Sequence, residues 1–291
     1  MNGNEVKEIY DLFERQIPFY EEFRDIGRDN LEIIVDEIVA FIRFHHINVK
    51  NGEIAKAVVG ISGGVDSSVV LALVKRALGA ENVIAVKMPY IGISSKESIF
   101  YANSLVEKFG IQDVREISIN EAADAIIGGV GRSGDDLTSF VKGNTMARMR
   151  MSILYAIAGA SGGRVIDTCN VTEIRMGYYT KHGDGASDHN PVGNLYKTWV
   201  WDLAKFLEVP QKIIDRAPSP ELEEGQTDED DMKITYRALD LLLYLMYDKG
   251  ISKQDLIKDY YFPEEVIDMV IGKIRGSEHK RHLAPVCKID L

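Results

Sequence analysis

The chain has 291 residues, of which 45% are hydrophobic and 27% are charged, an ordinary composition for a globular protein. Its formal net charge of −11 argues against a nucleic-acid partner, because phosphate backbones require a basic surface. The sequence shows neither a signal peptide nor an apolar run of roughly 18 residues, and its two cysteines are too few for a disulfide scaffold, so we expect a cytoplasmic protein without a membrane partner.

Hydrophobic periodicity predicts two helices before the first strand, at residues 5–24 and 30–47. Strands and helices then alternate, with strands at 57–61, 82–88 and 114–117 and helices at 67–78 and 96–109. A glycine-rich break at 128–134 is expected to form a flexible loop, before a helix at 141–158 and a strand at 164–167. This alternation predicts an α/β protein with a doubly wound, mostly parallel sheet.

The last third of the sequence is expected to be helical. Its predicted helices cover residues 196–207, 230–247 and 263–274, and a mobile loop is expected at 216–228, where proline, glutamate and glycine are frequent. Since no linker divides the chain, we expect a single domain over residues 1–291, with residues 1–50 as a helical N-terminal segment.

The most informative segment is residues 60–68, which joins the first predicted strand to the following helix. Backbone N–H groups and hydroxyls at a helix N-terminus favour bound anions. Gly63 and Gly64 allow a ligand to approach the backbone closely. Asp66 would place a carboxylate beside bound phosphates, which is favourable if a hard cation bridges them. The segment is therefore interpreted as a phosphate-binding loop.

This loop lacks the Gly-Lys-Ser/Thr ending of a Walker A loop and the Gly-x-Gly-x-x-Gly spacing of dinucleotide folds. It resembles the pyrophosphate-binding loop of the ATP pyrophosphatases, which adenylate their substrates. The resemblance implies the Rossmann-like fold of that group. It also implies that ATP is bound by Gly60, Ile61, Ser62, Gly63, Gly64, Val65, Asp66, Ser67 and Ser68. The loop alone does not select a reaction within the group.

Three downstream segments narrow the resemblance: residues 142–151, 168–188 and 194–229. Together with the loop they are similar to the ammonia-dependent NAD synthetases, over about residues 57–283. This resemblance implies a ligase that adenylates the carboxylate of deamido-NAD+ with ATP. Ammonia then displaces AMP, giving NAD+, AMP and pyrophosphate. It also implies a homodimer, and no glutaminase domain is expected.

The resemblance assigns an ATP side of the site. Asp66 and Glu173 are the expected Mg²⁺ ligands, because two carboxylates with phosphate oxygens form an ordinary Mg²⁺ site. Lys197 is expected to neutralise charge on the triphosphate, and these three residues are counted as catalytic. Thr168 and Ser219 match further ATP contacts of the family.

The resemblance also assigns a substrate side, made of Arg148, Lys181, Asp188, His279 and Lys280. A dinucleotide that carries a pyrophosphate and a free carboxylate requires fixed cations, which the basic members supply. Asp188 is expected to accept hydrogen bonds from the substrate or to position the ammonia, and is counted as catalytic as well.

Three positions depart from the family's pattern near the expected ATP site. Asp167 stands where glycine is usual, Val171 where a basic residue is usual, and Pro220–Glu221 replaces a pair of small residues. A carboxylate at Asp167 could be an extra metal ligand or could repel ATP.

Two alternatives remain open. One is another amide or imine ligase of the same group, although the acidic composition and the segment Gly177–Lys181 disfavour a GMP-synthetase-like or tRNA-modifying enzyme. The other is a nucleotide-binding regulator without catalysis.

Overall fold

A computed structural model describes residues 3–47, 52–219 and 227–289 of the chain. Up to the last strand, the elements are α1 Gly3–Arg28, α2 Leu31–His46, β1 Ala57–Gly60, α3 Val65–Leu78, β2 Val83–Lys87, α4 Lys96–Lys108, β3 Asp113–Glu116, α5 Asn120–Arg132, α6 Ser139–Ser161 and β4 Arg164–Ile166. Those that follow are α7 Val171–Met176, α8 Lys197–Phe206, α9 Gln211–Ile214, α10 Asp228–Met232, α11 Tyr236–Leu243, α12 Lys253–Lys258 and α13 Glu264–Gly276. Within these ranges, none of the helices is both long and apolar enough to cross a membrane.

The four strands form one parallel sheet in the order β3-β2-β1-β4. In its register, Val58 of β1 is paired with Ile84 on one side and with Val165 on the other. The strand order reverses between β1 and β4, and in such sheets ligands bind beyond the carboxyl ends of the strands at the reversal. The loops after β1 and β4 therefore open onto the same place.

Helices cover both faces of the sheet. Ala57 and Val59 of β1 belong to a buried cluster that includes residues of α2, α3, α4 and α8. The intervening residue, Val58, faces the other way and belongs to a cluster with Ile157 of α6. Because successive residues of a strand point to opposite faces, these two clusters confirm the predicted doubly wound α/β fold.

A second large core lies under the C-terminal helices. It joins Phe23 of α1 to Tyr196, to Tyr236 of α11 and to Ile267 of α13. Helix α8 connects the two cores, since its two tryptophans, at positions 199 and 201, contact both. The first residue of this helix is Lys197, which is thereby held between the sheet and the helical third.

The predicted loop at residues 128–134 is wrong for most of its length, because α5 continues to Arg132. Ala123 and Ile127 of α5 pack with Met146 of α6, and this burial outweighs the low helix propensity of the glycines. The turn comes at Gly134, whose φ is +103°. The single helix predicted at 230–247 is also divided, since Lys233 has a φ of +62° and ends α10.

The loop predicted at 216–228 lies partly outside the described residues, as do Pro220 and Glu221. Residues 216–219 are irregular, but Asp228 already begins α10. The backbone N–H of Asp228 donates to the carbonyl of Pro218 at 3.0 Å. The two ends of the loop therefore meet beside the site, and its mobility stays a prediction.

Candidate active site

The loop after β1 is shaped by its own hydroxyls. The Ser67 and Ser68 hydroxyls both donate to the carbonyl of Gly64, at 3.1 and 2.8 Å, while Ser62 Oγ accepts from the backbone N–H of Gly64. Gly63 has a φ of +83°, and a Cβ there would lie 2.4 Å from the carbonyl oxygen of Ser98. The sharp turn therefore requires glycine at position 63.

A cavity of about 500 Å³ lies beyond the carboxyl ends of β1 and β4, within the range of small-molecule sites. The predicted site residues that line it are Gly60, Ile61, Ser62, Gly64, Val65, Asp66, Ser67, Thr168, Glu173, Lys197, Ser219 and Lys280. Gly63 supports the turn behind this surface, and Ser68 is fully buried with its hydroxyl on the Gly64 carbonyl. Most of the predicted ATP side thus converges on one cavity.

Lys197 is the central cation of this cavity. Its Nζ lies 2.6 Å from Asp66 Oδ2 and 3.0 Å from Glu173 Oε1, and the residue is only 2% exposed. The ring of Tyr236 lies under the ammonium, with 5.1 Å from Nζ to the ring centroid. Residues 66, 173 and 197, which are far apart in sequence, are therefore joined in one charged cluster.

Burial and charge shift the pKa values of this cluster in a consistent way. Burial, with the nearby Asp66 carboxylate, raises the pKa of Glu173 to about 8, and the Lys197 ammonium opposes this rise. Burial opposes the charge on Lys197, but the carboxylates of Asp66 and Glu173 raise its pKa above its usual value. A further cation at this place would favour the ionised form of Glu173, because a positive charge close to a carboxylate lowers its pKa.

Asn170 also organises this cluster, and its role was missed in the sequence. Its Nδ2 donates to Asp66 Oδ1 at 2.9 Å, and its Oδ1 accepts from the backbone N–H of Glu173 at 3.0 Å. Glu173 Oε2 in turn accepts from the Asn170 backbone N–H, which completes a capping box at the start of α7. The signal that could have found it is an asparagine three residues before a glutamate at a helix start.

Asp228 is another carboxylate that lines the cavity, and the sequence analysis did not identify it as a site residue. It is 6% exposed, and its Oδ2 accepts from the hydroxyl of Tyr236 at 2.8 Å. The hydroxyl of Tyr178 lies 2.8 Å from Asp231 Oδ2 and 3.3 Å from Asp228 Oδ1. Burial raises the pKa of Asp228, and Lys197 opposes the rise. The tyrosines thus keep this carboxylate satisfied beside the cation.

The predicted substrate residues lie in three places. Lys280 lines the cavity, and its Nζ donates to the carbonyls of Gly177 and Tyr179, at 2.7 Å each. Burial lowers the pKa of Lys280. The Lys280 ammonium thus holds the loop after α7 in place through these two hydrogen bonds.

Arg148, Lys181 and His279 form a separate group outside the cavity lining. Arg148 Nε donates to the carbonyl of Lys181 at 3.3 Å, and Lys181 Nζ donates to the carbonyl of His279. Asp188 lies elsewhere, at the edge of the sheet, where its Oδ2 accepts from the backbone N–H of Val165 at 2.7 Å. The structure therefore does not bring these four side chains to the cavity, and their roles toward a substrate stay predictions.

Comparisons with known proteins decide the family. The sequence profile of the NAD synthase family matches residues 34–284, most of the chain. The chain belongs to the NAD synthase family. It is 42% identical over 261 residues to an NH₃-dependent NAD⁺ synthetase from Chlorobium phaeobacteroides, covering 90% of this chain and 91% of that relative.

Solved structures agree with this membership. The NMN synthetase of Francisella tularensis superposes with a TM-score of 0.76 at 32% identity, covering 89% of this chain and 99% of the other. The NH₃-dependent NAD synthetase of Campylobacter jejuni gives a TM-score of 0.73 at 29% identity, with the same coverage. The resemblance to the ammonia-dependent NAD synthetases is thus confirmed at the level of family and fold.

The residues at the cavity fit the divalent cation that this family implies. Asp66 and Glu173 offer hard carboxylate oxygens that converge within 3.0 Å of a single atom, Lys197 Nζ. Among the residues that the structure describes, no three acidic, histidine or cysteine side chains form a complete metal cage. A donor set of two carboxylates is suited to Mg²⁺, which keeps water and phosphate oxygens as its other ligands.

Proposed function

We propose that this cavity is where the chain carries out the reaction of its family, and that the Lys197 cluster is its catalytic centre. As a member of the NAD synthase family, the chain is an ATP-dependent ligase that converts deamido-NAD⁺ and ammonia into NAD⁺, AMP and pyrophosphate. The observation that carries the residue assignment is the convergence of Asp66 and Glu173 on Lys197 beside the phosphate loop.

In the first step, an oxygen of the nicotinate carboxylate attacks the α-phosphorus of ATP, and pyrophosphate leaves. The backbone and hydroxyls of the loop after β1 bind the departing pyrophosphate at the N-terminus of α3. Lys197 neutralises the charge that develops on it, and its burial strengthens that interaction because water is excluded. Thr168 and Ser219, which both line the cavity, contact the nucleotide.

Asp66 and Glu173 would hold Mg²⁺, which would supply further neutralisation of the charge on the leaving pyrophosphate. The carboxylates are kept in place by protein groups, since Asn170 donates to Asp66 and the α7 capping box holds Glu173. This support is what a metal site requires of the residues behind its ligands.

In the second step, ammonia attacks the carbonyl carbon of the acyl adenylate, AMP leaves with the bonding electron pair, and the nitrogen loses a proton. The cavity must keep water from the mixed anhydride until ammonia arrives. Lys280 donates to the carbonyls of Gly177 and Tyr179, and so holds the loop that lines the substrate side of the cavity. Arg148, Lys181, Asp188 and His279 stay proposed contacts of the dinucleotide outside the cavity.

We further propose a homodimer, as the resemblance implies. Exposed apolar side chains on α5 and α6 support this, since Ile126 is 43% and Val141 39% exposed. A cytoplasmic location likewise stays a proposal. Sedimentation velocity at several protein concentrations tests the dimer, and a monomer throughout would overturn it.

The reaction is tested with purified protein, ATP, Mg²⁺, ammonium and deamido-NAD⁺ labelled with ¹⁸O in its carboxylate. We expect NAD⁺ and pyrophosphate in equal amounts, with one ¹⁸O atom transferred to AMP, because the carboxylate oxygen attacks phosphorus. Release of inorganic phosphate instead would overturn adenylation. ATP binding without NAD⁺ formation would favour a non-catalytic paralogue.

Two further arms define the substrates. Because one structural relative is named an NMN synthetase, nicotinic acid mononucleotide replaces deamido-NAD⁺ in the first. We expect the dinucleotide to give the higher kcat/KM. Faster turnover of the mononucleotide would overturn the assignment of the acid substrate. Glutamine replaces ammonium in the second arm, and we expect no product from it.

A further inference from the structure

Asp167 is a buried acidic residue that the proposed reaction does not use. It follows β4 directly, is 8% exposed and lines the cavity. The sequence resemblance marks this position as a departure from the family's pattern. The sequence left two roles open for it, an extra metal ligand or a source of repulsion toward ATP.

The carboxylate of Asp167 is turned back onto its own chain. Oδ1 accepts from the backbone N–H of Cys169 at 2.8 Å, and Oδ2 accepts from the hydroxyl of Ser187 at 3.2 Å. Burial raises the pKa of Asp167, and these hydrogen bonds oppose the rise. Each carboxylate oxygen therefore has a hydrogen-bond donor from the protein. Asp167 does not need a bound metal ion to satisfy it.

These hydrogen bonds join two segments with different tasks. One is the turn between β4 and α7, which carries Thr168 and ends at Asn170, the partner of Asp66. The other is residues 187–189, which extend the sheet past β4, because the backbone N–H of Asp167 donates to the carbonyl of His189 at 3.1 Å. The side chain and backbone of Asp167 thus link the turn on the ATP side of the cavity to residues 187–189.

We propose that Asp167 is a positioning residue that braces the β4–α7 turn against the segment 187–189, and so sets the distance between bound ATP and the acid substrate. The inference rests on the proposed function for its kinetic consequence, but the brace itself can be measured without turnover. A glycine at this position has no side chain to make these bonds.

The test compares Asp167→Ala, which removes the brace, with Asp167→Asn, which keeps it without the charge. The asparagine Oδ1 still accepts from Cys169 N–H, and its Nδ2 can donate to Ser187 Oγ. For Asp167→Ala we expect kcat to fall at least about 10-fold, because small misplacements of reacting groups are costly. We expect the KM for ATP to change less than about 3-fold, since the phosphate loop is untouched. For Asp167→Asn we expect every constant within about 3-fold of wild type.

The independent readout is amide hydrogen exchange at Cys169 without substrates. We expect exchange to accelerate in Asp167→Ala and to stay near the wild-type rate in Asp167→Asn. Asp113→Ala is the matched control, since Asp113 pairs with Arg115, two positions further on, and neither residue lines the cavity. It should change neither kcat nor exchange at Cys169.

Three results would overturn the proposal: unchanged kcat in Asp167→Ala, unchanged exchange at Cys169 in that variant, or an Asp167→Asn protein as impaired as the alanine variant. An equally impaired Asp167→Asn protein would show that kcat depends on the charge of Asp167 rather than on its hydrogen bonds. If Asp167→Ala does not fold, Ser187→Ala takes its place, and we expect a smaller fall in kcat. A wild-type kcat in Ser187→Ala would then contradict the proposal. A wild-type protein that makes no NAD⁺ would defeat the proposed function, whereas exchange at Cys169 would still test the brace.

Discussion

The carboxylate of Asp240 accepts a hydrogen bond from the hydroxyl of Thr172, with 2.5 Å between the two oxygens. Its other oxygen accepts from the backbone N–H and the hydroxyl of Thr198, each at 2.8 Å. Thr172 precedes Glu173 on α7, and Thr198 follows Lys197 on α8. A fully buried carboxylate on α11 thus holds together the two helices that carry Glu173 and Lys197.

Asp240→Ala is expected to destabilise the protein by about 2–4 kcal/mol, because it leaves the Thr198 N–H and two hydroxyls buried without their acceptor. Urea unfolding followed by circular dichroism measures this. Asp36→Ala, at an exposed position on α2, is the control, expected to cost less than about 1 kcal/mol. Equal costs for the two variants would contradict the role given to Asp240.

The same residue predicts a pH dependence of stability. Burial raises the pKa of Asp240 to about 6, against 3.8 for the unperturbed group. Between these values the native state binds more protons than the unfolded state, so this group's contribution to the free energy of unfolding falls as pH rises from about 4 to about 6. Asp240→Asn does not titrate. The stability of wild type relative to Asp240→Asn should therefore decrease over that range and be constant above it, and a rising difference would contradict the assignment.

Lys197→Met should lower the rate of pyrophosphate release by about 10³-fold, because the substitution keeps the side-chain length but removes the charge that faces the triphosphate. A quenched-flow measurement with saturating substrates isolates this step. Lys205→Met, at an exposed position on the same helix, should leave the rate unchanged. More than about a tenth of wild-type activity in Lys197→Met would contradict electrostatic catalysis by this residue.

Asn170→Ala should cost about 1–2 kcal/mol of stability through loss of the α7 cap, and should also raise the Mg²⁺ concentration needed for turnover, because Asp66 loses a hydrogen bond. Ser252 caps α12 at a site remote from the cavity. Ser252→Ala should show a similar cost in stability with no change in the Mg²⁺ requirement. If Ser252→Ala lowers the stability and also raises the Mg²⁺ requirement, as Asn170→Ala does, then Asn170 acts through stability alone.

Gly63→Ala should abolish ATP binding, measured by isothermal titration calorimetry, because the new Cβ would meet the Ser98 carbonyl at 2.4 Å on a backbone of positive φ. Gly134→Ala has the same kind of φ, +103°, but its Cβ would meet open space. It should be destabilised by strain alone and should still bind ATP. Normal affinity in Gly63→Ala would contradict the tight turn.

The phosphate loop and the alternation of strands and helices could be predicted from sequence because they are local. The strand 57–61, the turn and the helix that follows fall within about twenty consecutive residues, so hydrophobic periodicity and glycine placement are enough to identify them. The same local reasoning failed at 128–134, where contacts with α6 keep the glycines helical. Propensity is a weak term when an apolar face can be buried.

The sequence by itself determined the family, the α/β class and the residues at the phosphate loop. The tertiary structure alone decided how the charges are arranged, because the deciding contacts join residues 104 positions apart at Asn170 and Asp66, and 68 apart at Thr172 and Asp240. It also decided that the Asp167 carboxylate turns onto Cys169 and Ser187. The physical reason is that a buried polar group must find its partners wherever the fold places them, and sequence spacing carries no record of that.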